Sequence, residues 1–278
     1  MTSIQELSDI SSQLRRDVLR MVTGASSGHP GGSLSSADIL TALYFSEMKH
    51  DPATWTREAK GQDSFIPSAG HLAPIYYAVL ARAGYFPLKE LGTLRKFGTR
   101  LQGHPAAGHL EGVYQASGSL GQGLAPSAGI ALGKKLAGES ERAFVLLGDG
   151  ECEEGEIWES AIFAAHHCLD NLVAMVDWNG VQIDGSIESV ASMGDLNEKW
   201  LGFGWDVIVA EGHDFESILK AFEIARKRNG KPKIILFRTQ MGHGVDFMEG
   251  DNGWHGKAPS QEQCEAALAQ LKETLGDY

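Results

Sequence analysis

The sequence predicts an α/β fold, a parallel sheet with helices on both faces, on three observations. Residues 144–147 and 172–178 are short apolar runs of the kind that form buried parallel strands. Between them, Trp158, Ile162, Ala165 and Leu169 recur at intervals of 4, 3 and 4 residues, which marks 156–169 as a helix and the whole as one βαβ crossover. The alternation then repeats, with strand-like runs at 206–209 and 233–237 flanking a helical stretch at 215–228.

The remaining elements follow in chain order. Residues 4–24 form an amphipathic helix with Leu14, Val18, Leu19 and Val22 on one stripe, and the glycines within 28–32 break it. Apolar helical stretches occupy 36–45 and 73–83, and a short strand at 64–66 leads into a loop around His71. Small residues throughout 119–136 predict a tightly packed helix behind a glycine loop. Ser260-Gln261-Glu262-Gln263 reads as the capping-box start of a terminal helix, 260–275, ahead of Gly276. No repeat, low-complexity tract or linker divides the chain, so the expectation is one domain over 1–278 with a helical N-terminal region, 1–60.

Composition narrows the functional classes. The 278 residues, 42% apolar with 34 glycines, suffice for one large α/β domain. A net charge of −12 with no basic stripe argues against nucleic acid, so a phosphorylated ligand has to be met by a metal and backbone amides. Cys152, Cys168 and Cys264 form no CxxC pair and leave one unpaired, the pattern of reduced thiols in a cytoplasmic protein. The start lacks a basic segment followed by an apolar one, and no apolar stretch reaches the ~18 residues of a spanning helix, so membrane insertion is not expected.

Chemistry concentrates where strands end. Gly148-Asp149-Gly150 closes the first run and Asn179 the second, which puts both polar side chains at carboxyl ends of adjacent strands, the edge where open α/β sheets bind ligands. An Asp carboxylate and an Asn carbonyl are hard oxygen donors suited to Mg²⁺. Gly150 allows close backbone approach, and the helix starting near 155 or 156 points its N–H groups at the same edge. Glu151 and Glu153 read as a solvated helix start favoured by the macrodipole. Gly118-Ser119-Leu120-Gly121-Gln122-Gly123 is spaced GxxGxG and follows no clear strand, so it is a poor dinucleotide fingerprint. Four of the ten histidines, His29, His71, His104 and His255, lie in loops beside Gly or Pro, where imidazole can move protons near neutral pH without large perturbation. His166 and His167 are expected to pack or face solvent, and His50, His109 and His213 to serve surface or turn roles.

Gly148-Asp149-Gly150, 28 residues and then Asn179-Gly180 resembles the thiamine diphosphate fingerprint, and five flanking segments narrow the likeness to transketolases. They are Ser27-Gly28-His29-Pro30-Gly31-Gly32, Ser68-Ala69-Gly70-His71, Gly103-His104-Pro105, the 118–123 loop and Trp254-His255-Gly256-Lys257, in the family's order over residues 10–260. The resemblance implies the thiamine-diphosphate-binding fold, its diphosphate-binding half only. It implies Asp149, Asn179 and the carbonyl of Val181 as ligands of Mg²⁺ (or Ca²⁺ or Mn²⁺). Gly118, Ser119, Leu120 and Gly150 would lie against the cofactor, and the four histidines would line the channel to its thiazolium, with His71 and His255 also reaching the diphosphate. Glu154 and Glu159 match family carboxylates near a subunit interface. Met241 stands where some relatives carry a basic residue, with His243 a candidate replacement, and Ala69 where some carry Lys or Asn.

In transketolases the Glu that activates the aminopyrimidine belongs to a second, pyrimidine-binding domain. The sequence shows no such segment before Tyr278. It therefore resembles the N-terminal subunit of a split transketolase, expected to pair with a C-terminal subunit in an α2β2 assembly and to move a two-carbon ketol unit between sugar phosphates. Alternatives are a specialised sugar transketolase, another thiamine diphosphate enzyme such as a synthase, and a non-catalytic partner that keeps the fold.

Overall fold

The computed structural model describes residues 2–278. Its strands are β1 (Ser64–Pro67), β2 (Ala143–Gly148), β3 (Leu172–Trp178), the short antiparallel pair β4 (Val181–Gln182) and β5 (Gly185–Ser186), then β6 (Asp206–Glu211) and β7 (Lys233–Arg238). The main sheet has the order β1-β2-β3-β7-β6, and every neighbouring pair is parallel. The helices are α1 (Ile4–Gly24), α2 (Pro30–Ser35), α3 (Ala37–Ala42), α4 (Ala73–Arg82), α5 (Leu124–Leu136), α6 (Gly155–His166), α7 (Ile187–Ala191), α8 (Leu196–Gly202), α9 (Phe215–Ala225) and α10 (Gln261–Leu268).

Strand side chains alternate between two cores, as the two-residue repeat of a strand requires. Phe144, Leu146, Val173, Met175, Ile235 and Phe237 pack with α1, α3, α4 and α9. Val145, Leu147, Ala174, Val176, Ile234 and Leu236 pack with α5, α6 and α8. Burial on both faces explains why the strands read as continuous apolar runs. In α1, Leu14, Val18, Leu19 and Val22 are all fully buried, and Ser3 with Glu6 forms a capping box at its start.

Several elements depart from the sequence reading. α5 begins at Leu124 rather than at 119, because Gly121 has φ +86, a left-handed conformation no helix admits, and its N–H is bound by Glu151. α6 buries Ile157, Ala161 and Ala164 most deeply; of the expected stripe, Leu169 is fully buried, Trp158 and Ala165 pack at the edge of the same core, and Ile162 is 58% exposed, so the stripe is offset from the buried face and fails at Ile162. The terminal helix ends at Leu268, not 275. Arg16 Nη1 takes the carbonyls of Leu268 and Leu271, and Gln13 Oε1 takes the N–H groups of Thr274 and Leu275, so tertiary partners replace the helical ones. The β4–β5 hairpin, α7 and α8, short elements between two longer strands, had no distinct pattern in the sequence.

Candidate functional site

Asp149 follows β2 and Asn179 follows β3, and the parallel pairing that sets Gly148 opposite Asp177 brings both to one cleft. Asp149 Oδ2 accepts the N–H of Gly180 at 2.6 Å and Oδ1 that of Gly150 at 2.8 Å. Asn179 Nδ2 donates to Asp177 Oδ2 at 3.0 Å, and its Oδ1 accepts from the N–H of Val181 at 3.0 Å. Asp149 is 5% exposed; burial first and the Asp177 charge second push its carboxyl up to about 7. Among the described residues lining the cleft there is no Lys or Arg. The buried Asp149 carboxylate and the Asn179 amide oxygen, with no basic counter-ion beside them, form a donor set that a divalent cation fits. Val181 lines the same cleft. Gly150 is hemmed in: a Cβ there would lie 3.2 Å from Ile187 Cδ1, and its N–H is occupied by Asp149.

Two carboxylates that the sequence reading did not place here organise the site. Glu151 is 2% exposed rather than solvated, and burial raises its pKa. Its oxygens accept from Gly121 N–H at 2.8 Å, from Gly148 N–H at 2.9 Å and from the Ser68 hydroxyl, which itself accepts the Gly123 N–H at 2.9 Å. One side chain thus joins the end of β2, the end of β1 and the glycine loop. Asp177, in β3, accepts from Ser35, Ser36, Thr239 and Asn179, and so fixes Asn179 relative to α2 and the end of β7. The signal was faint: Glu151 sits in an acidic run, and Asp177 interrupts an apolar strand. Glu153 accepts from Gln182 Nε2 at 2.7 Å.

The four loop histidines converge although 226 residues separate the first from the last. His29 caps α2, His71 lies in the turn before α4, His104 in an irregular loop, and His255 just after the turn at Asn252–Trp254. Ring centroids are 5.4 Å apart for His29–His71, 6.1 Å for His29–His104, 5.7 Å for His29–His255 and 4.9 Å for His71–His255. His71 and His255 also line the cleft. Burial, then the neighbouring imidazoles, lowers His29 to about 4 and His71 to about 3, although both residues keep partial exposure; His255 falls through burial. This differs from the expectation of unperturbed titration, because a closely packed cluster of imidazoles resists any added charge. Nδ1 of His29 and of His255 is buried without a partner, so each ring keeps an unmet hydrogen-bonding position.

Leu120 lines the cleft, while Gly118 and Ser119 are exposed. Gly118 abuts both His104 and Gly70, where a Cβ on Gly70 would come within 2.6 Å of Gly118 N. Met241 and Ala69 are buried in the cleft wall. His243 is not there and cannot replace a basic residue at 241: it stacks on His213 with centroids 3.6 Å apart, beside Asp38. His213 lies in a turn, as expected, but is held there rather than free on the surface: its nitrogens meet Asp38 Oδ2 at 2.8 Å and Gln240 N–H at 2.9 Å. Asp38, His213 and His243 have metal-ligand chemistry, but Arg15 already binds both Asp38 oxygens, at 3.0 and 2.7 Å. Glu154 and Glu159 are both exposed, one at the residue preceding α6, where its side chain makes no capping bond, and the other in the first turns of that helix.

Residues 7–277 match the family model described as transketolase, thiamine diphosphate binding domain. The chain is 38% identical over 262 residues to a 6-deoxy-6-sulfo-D-fructose transketolase subunit from Clostridium sp. (strain MSTE9), covering 94% of each. It is 37% identical to an apulose-4-phosphate transketolase subunit from Phocaeicola vulgatus, covering 94% of this chain and 92% of that one. Among solved structures, transketolase from Leishmania mexicana superposes with a TM-score of 0.90 at 28% identity, covering 98% of this chain but 42% of that one.

Proposed function

Since the chain belongs to the transketolase family and has its thiamine-diphosphate-binding fold, we propose that it is the N-terminal subunit of a two-chain transketolase that uses thiamine diphosphate and Mg²⁺. The observation that carries the reading is the junction of an acidic, cation-suited cleft with a cluster of uncharged histidines at one sheet edge. Asp149, Asn179 and the Val181 carbonyl would hold the cation, and Leu120, Gly118, Ser119 and Gly150 would lie along the cofactor. When bound, thiamine diphosphate supplies the carbon nucleophile and electron sink for moving a two-carbon ketol unit. The chain's own contribution is orientation and proton handling. His29, His71, His104 and His255, kept neutral by burial, can accept or donate hydrogen bonds to sugar hydroxyls without presenting a fixed charge.

A partner chain is part of the proposal. The cleft encloses about 170 Å³, less than the ~300–1,000 Å³ of complete small-molecule sites, which supports a second polypeptide closing it. That C-terminal subunit would carry the pyrimidine-binding domain and its activating Glu. An outward apolar face on α6, with Ile162 58% and Phe163 40% exposed beside Glu156 and Glu159, supports a further contact within an α2β2 assembly. The two subunit relatives named above act, by their names, on a sulfonated and a phosphorylated sugar, which supports a sugar bearing an anionic group as substrate. The test mixes the purified chain with a candidate C-terminal subunit carrying a pyrimidine-binding domain, thiamine diphosphate and Mg²⁺, and follows ketol transfer. The pair is expected to be active and the chain alone inactive; activity of the chain alone would overturn the shared-site model.

A further inference from the structure

We propose that Arg95 is a positioning residue for the histidine cluster, a clamp between the loop that bears His29 and the loop that bears His104. The geometry stands independently, while its kinetic consequence rests on the ketol-transfer reading above. Arg95 Nη1 donates to Ser27 Oγ at 2.8 Å, two residues before His29, and Nη2 donates to the Gly103 carbonyl at 3.2 Å, immediately before His104. A planar guanidinium holds two acceptors at a fixed separation, which a flexible ammonium does not. Glycine at 103 makes room for it: a Cβ there would stand 3.0 Å from Arg95 Cζ.

The backbone of Arg95 is itself held in an uncommon state. Its φ is +58, the left-handed region that non-glycine residues rarely occupy, and its N–H bonds to the Leu101 carbonyl at 2.9 Å. Thr99 Oγ1 meets Thr93 Oγ1 at 2.7 Å and the Leu101 N–H at 3.0 Å, which stiffens the same loop. Strain that the surroundings over-determine in this way is found where a side chain has to be placed. The charge adds a second effect. His29 is faced by His71, His104, His255 and Arg95, and His104 by His29 and Arg95; burial leads, and the guanidinium, always charged, then disfavours protonation of both rings.

Arg95→Gln and Arg95→Lys separate the clamp from the charge. In a proton NMR titration of the full chain, Arg95→Gln is expected to move the His29 and His104 midpoints to higher pH and leave those of His166 and His167 unchanged, whereas Arg95→Lys leaves all four near native. In the complex with the partner chain, thiamine diphosphate and Mg²⁺, both variants are expected to lower kcat/KM by about ten- to a hundredfold, the scale of a misplaced reacting group. Cofactor affinity by calorimetry should stay within about threefold of native. Unchanged kcat/KM in both variants overturns the clamp. So does a loss matched by equal falls in cofactor affinity and melting temperature, which would assign Arg95 to the fold alone. An inactive native complex would instead sink the ketol-transfer reading, and the titration would still decide whether Arg95 acts on the two rings.

Discussion

Asp149 resists ionisation because burial and Asp177 both oppose its charge, and this couples pH to cation binding. Its folded value of about 7 lies above the ordinary 3.8, so the folded chain binds more protons between those values, and this group's contribution to stability falls as pH rises through that window. A cation reverses the penalty where the carboxylate is ionised. Thiamine diphosphate with Mg²⁺ is therefore expected to raise the melting temperature more at about pH 8 than at about pH 5, and Asp149→Ala to abolish the increment in scanning calorimetry. The histidines run the other way. His71 and His29, lowered to about 3 and about 4 from the ordinary 6.5, contribute stability that is fully present above 6.5 and lost as pH falls toward the folded values. His71→Asn should remove about one proton from the pH slope of stability between about pH 4 and 6.5 in urea titrations; an unaltered slope would mean that His71 is not held neutral.

The loops that carry the site are joined by contacts too close for side chains. Gly70 and Gly118 touch backbone to backbone, and Glu151 stitches the Gly121 loop to the ends of β1 and β2. Gly70→Ala would put a Cβ 2.6 Å from Gly118 N; the forced separation is expected to weaken thiamine diphosphate binding at least tenfold in calorimetry while the far-ultraviolet circular dichroism stays native. Glu151→Ala leaves the buried N–H of Gly121 and the partly buried N–H of Gly148 without acceptors, at up to about 1–3 kcal/mol of unfolding free energy each, measurable in urea. The elements themselves were largely legible, since strands buried on both faces give continuous apolar runs and α1 gives a regular stripe. Loop 118–123 was not, because small residues fit a helix and a close-packed loop equally well, and only the capture of Gly121 by Glu151 distinguishes them.

Across the molecule, one core on each face of the sheet leaves the carboxyl edge free for ligands and an apolar face of α6 uncovered. Ile162 follows the helical repeat without meeting the sheet, which is why periodicity assigned it to the core, and Phe163 beside it is exposed as well. In the proposed assembly that face is covered. Phe163→Glu is expected to reduce the complex formed with the partner chain to a smaller species in analytical ultracentrifugation, with the fold of the separate chain intact; an unchanged sedimentation coefficient would place the contact elsewhere.

Strand order of residue types, the helical stripe of α1 and the two polar strand ends were settled by the chain's own succession of residues, because local periodicity and a parallel crossover leave little freedom in where Asp149 and Asn179 emerge. The meeting of His29, His71, His104 and His255 was implied by the family resemblance and by no local pattern, while their spacing, the burial of Glu151 and Asp177, and the suppression of imidazole charge came only from folding. Those properties arise from segments far apart in the chain packing within a few ångströms, where dielectric and neighbouring charge are set by the fold and no local pattern records them.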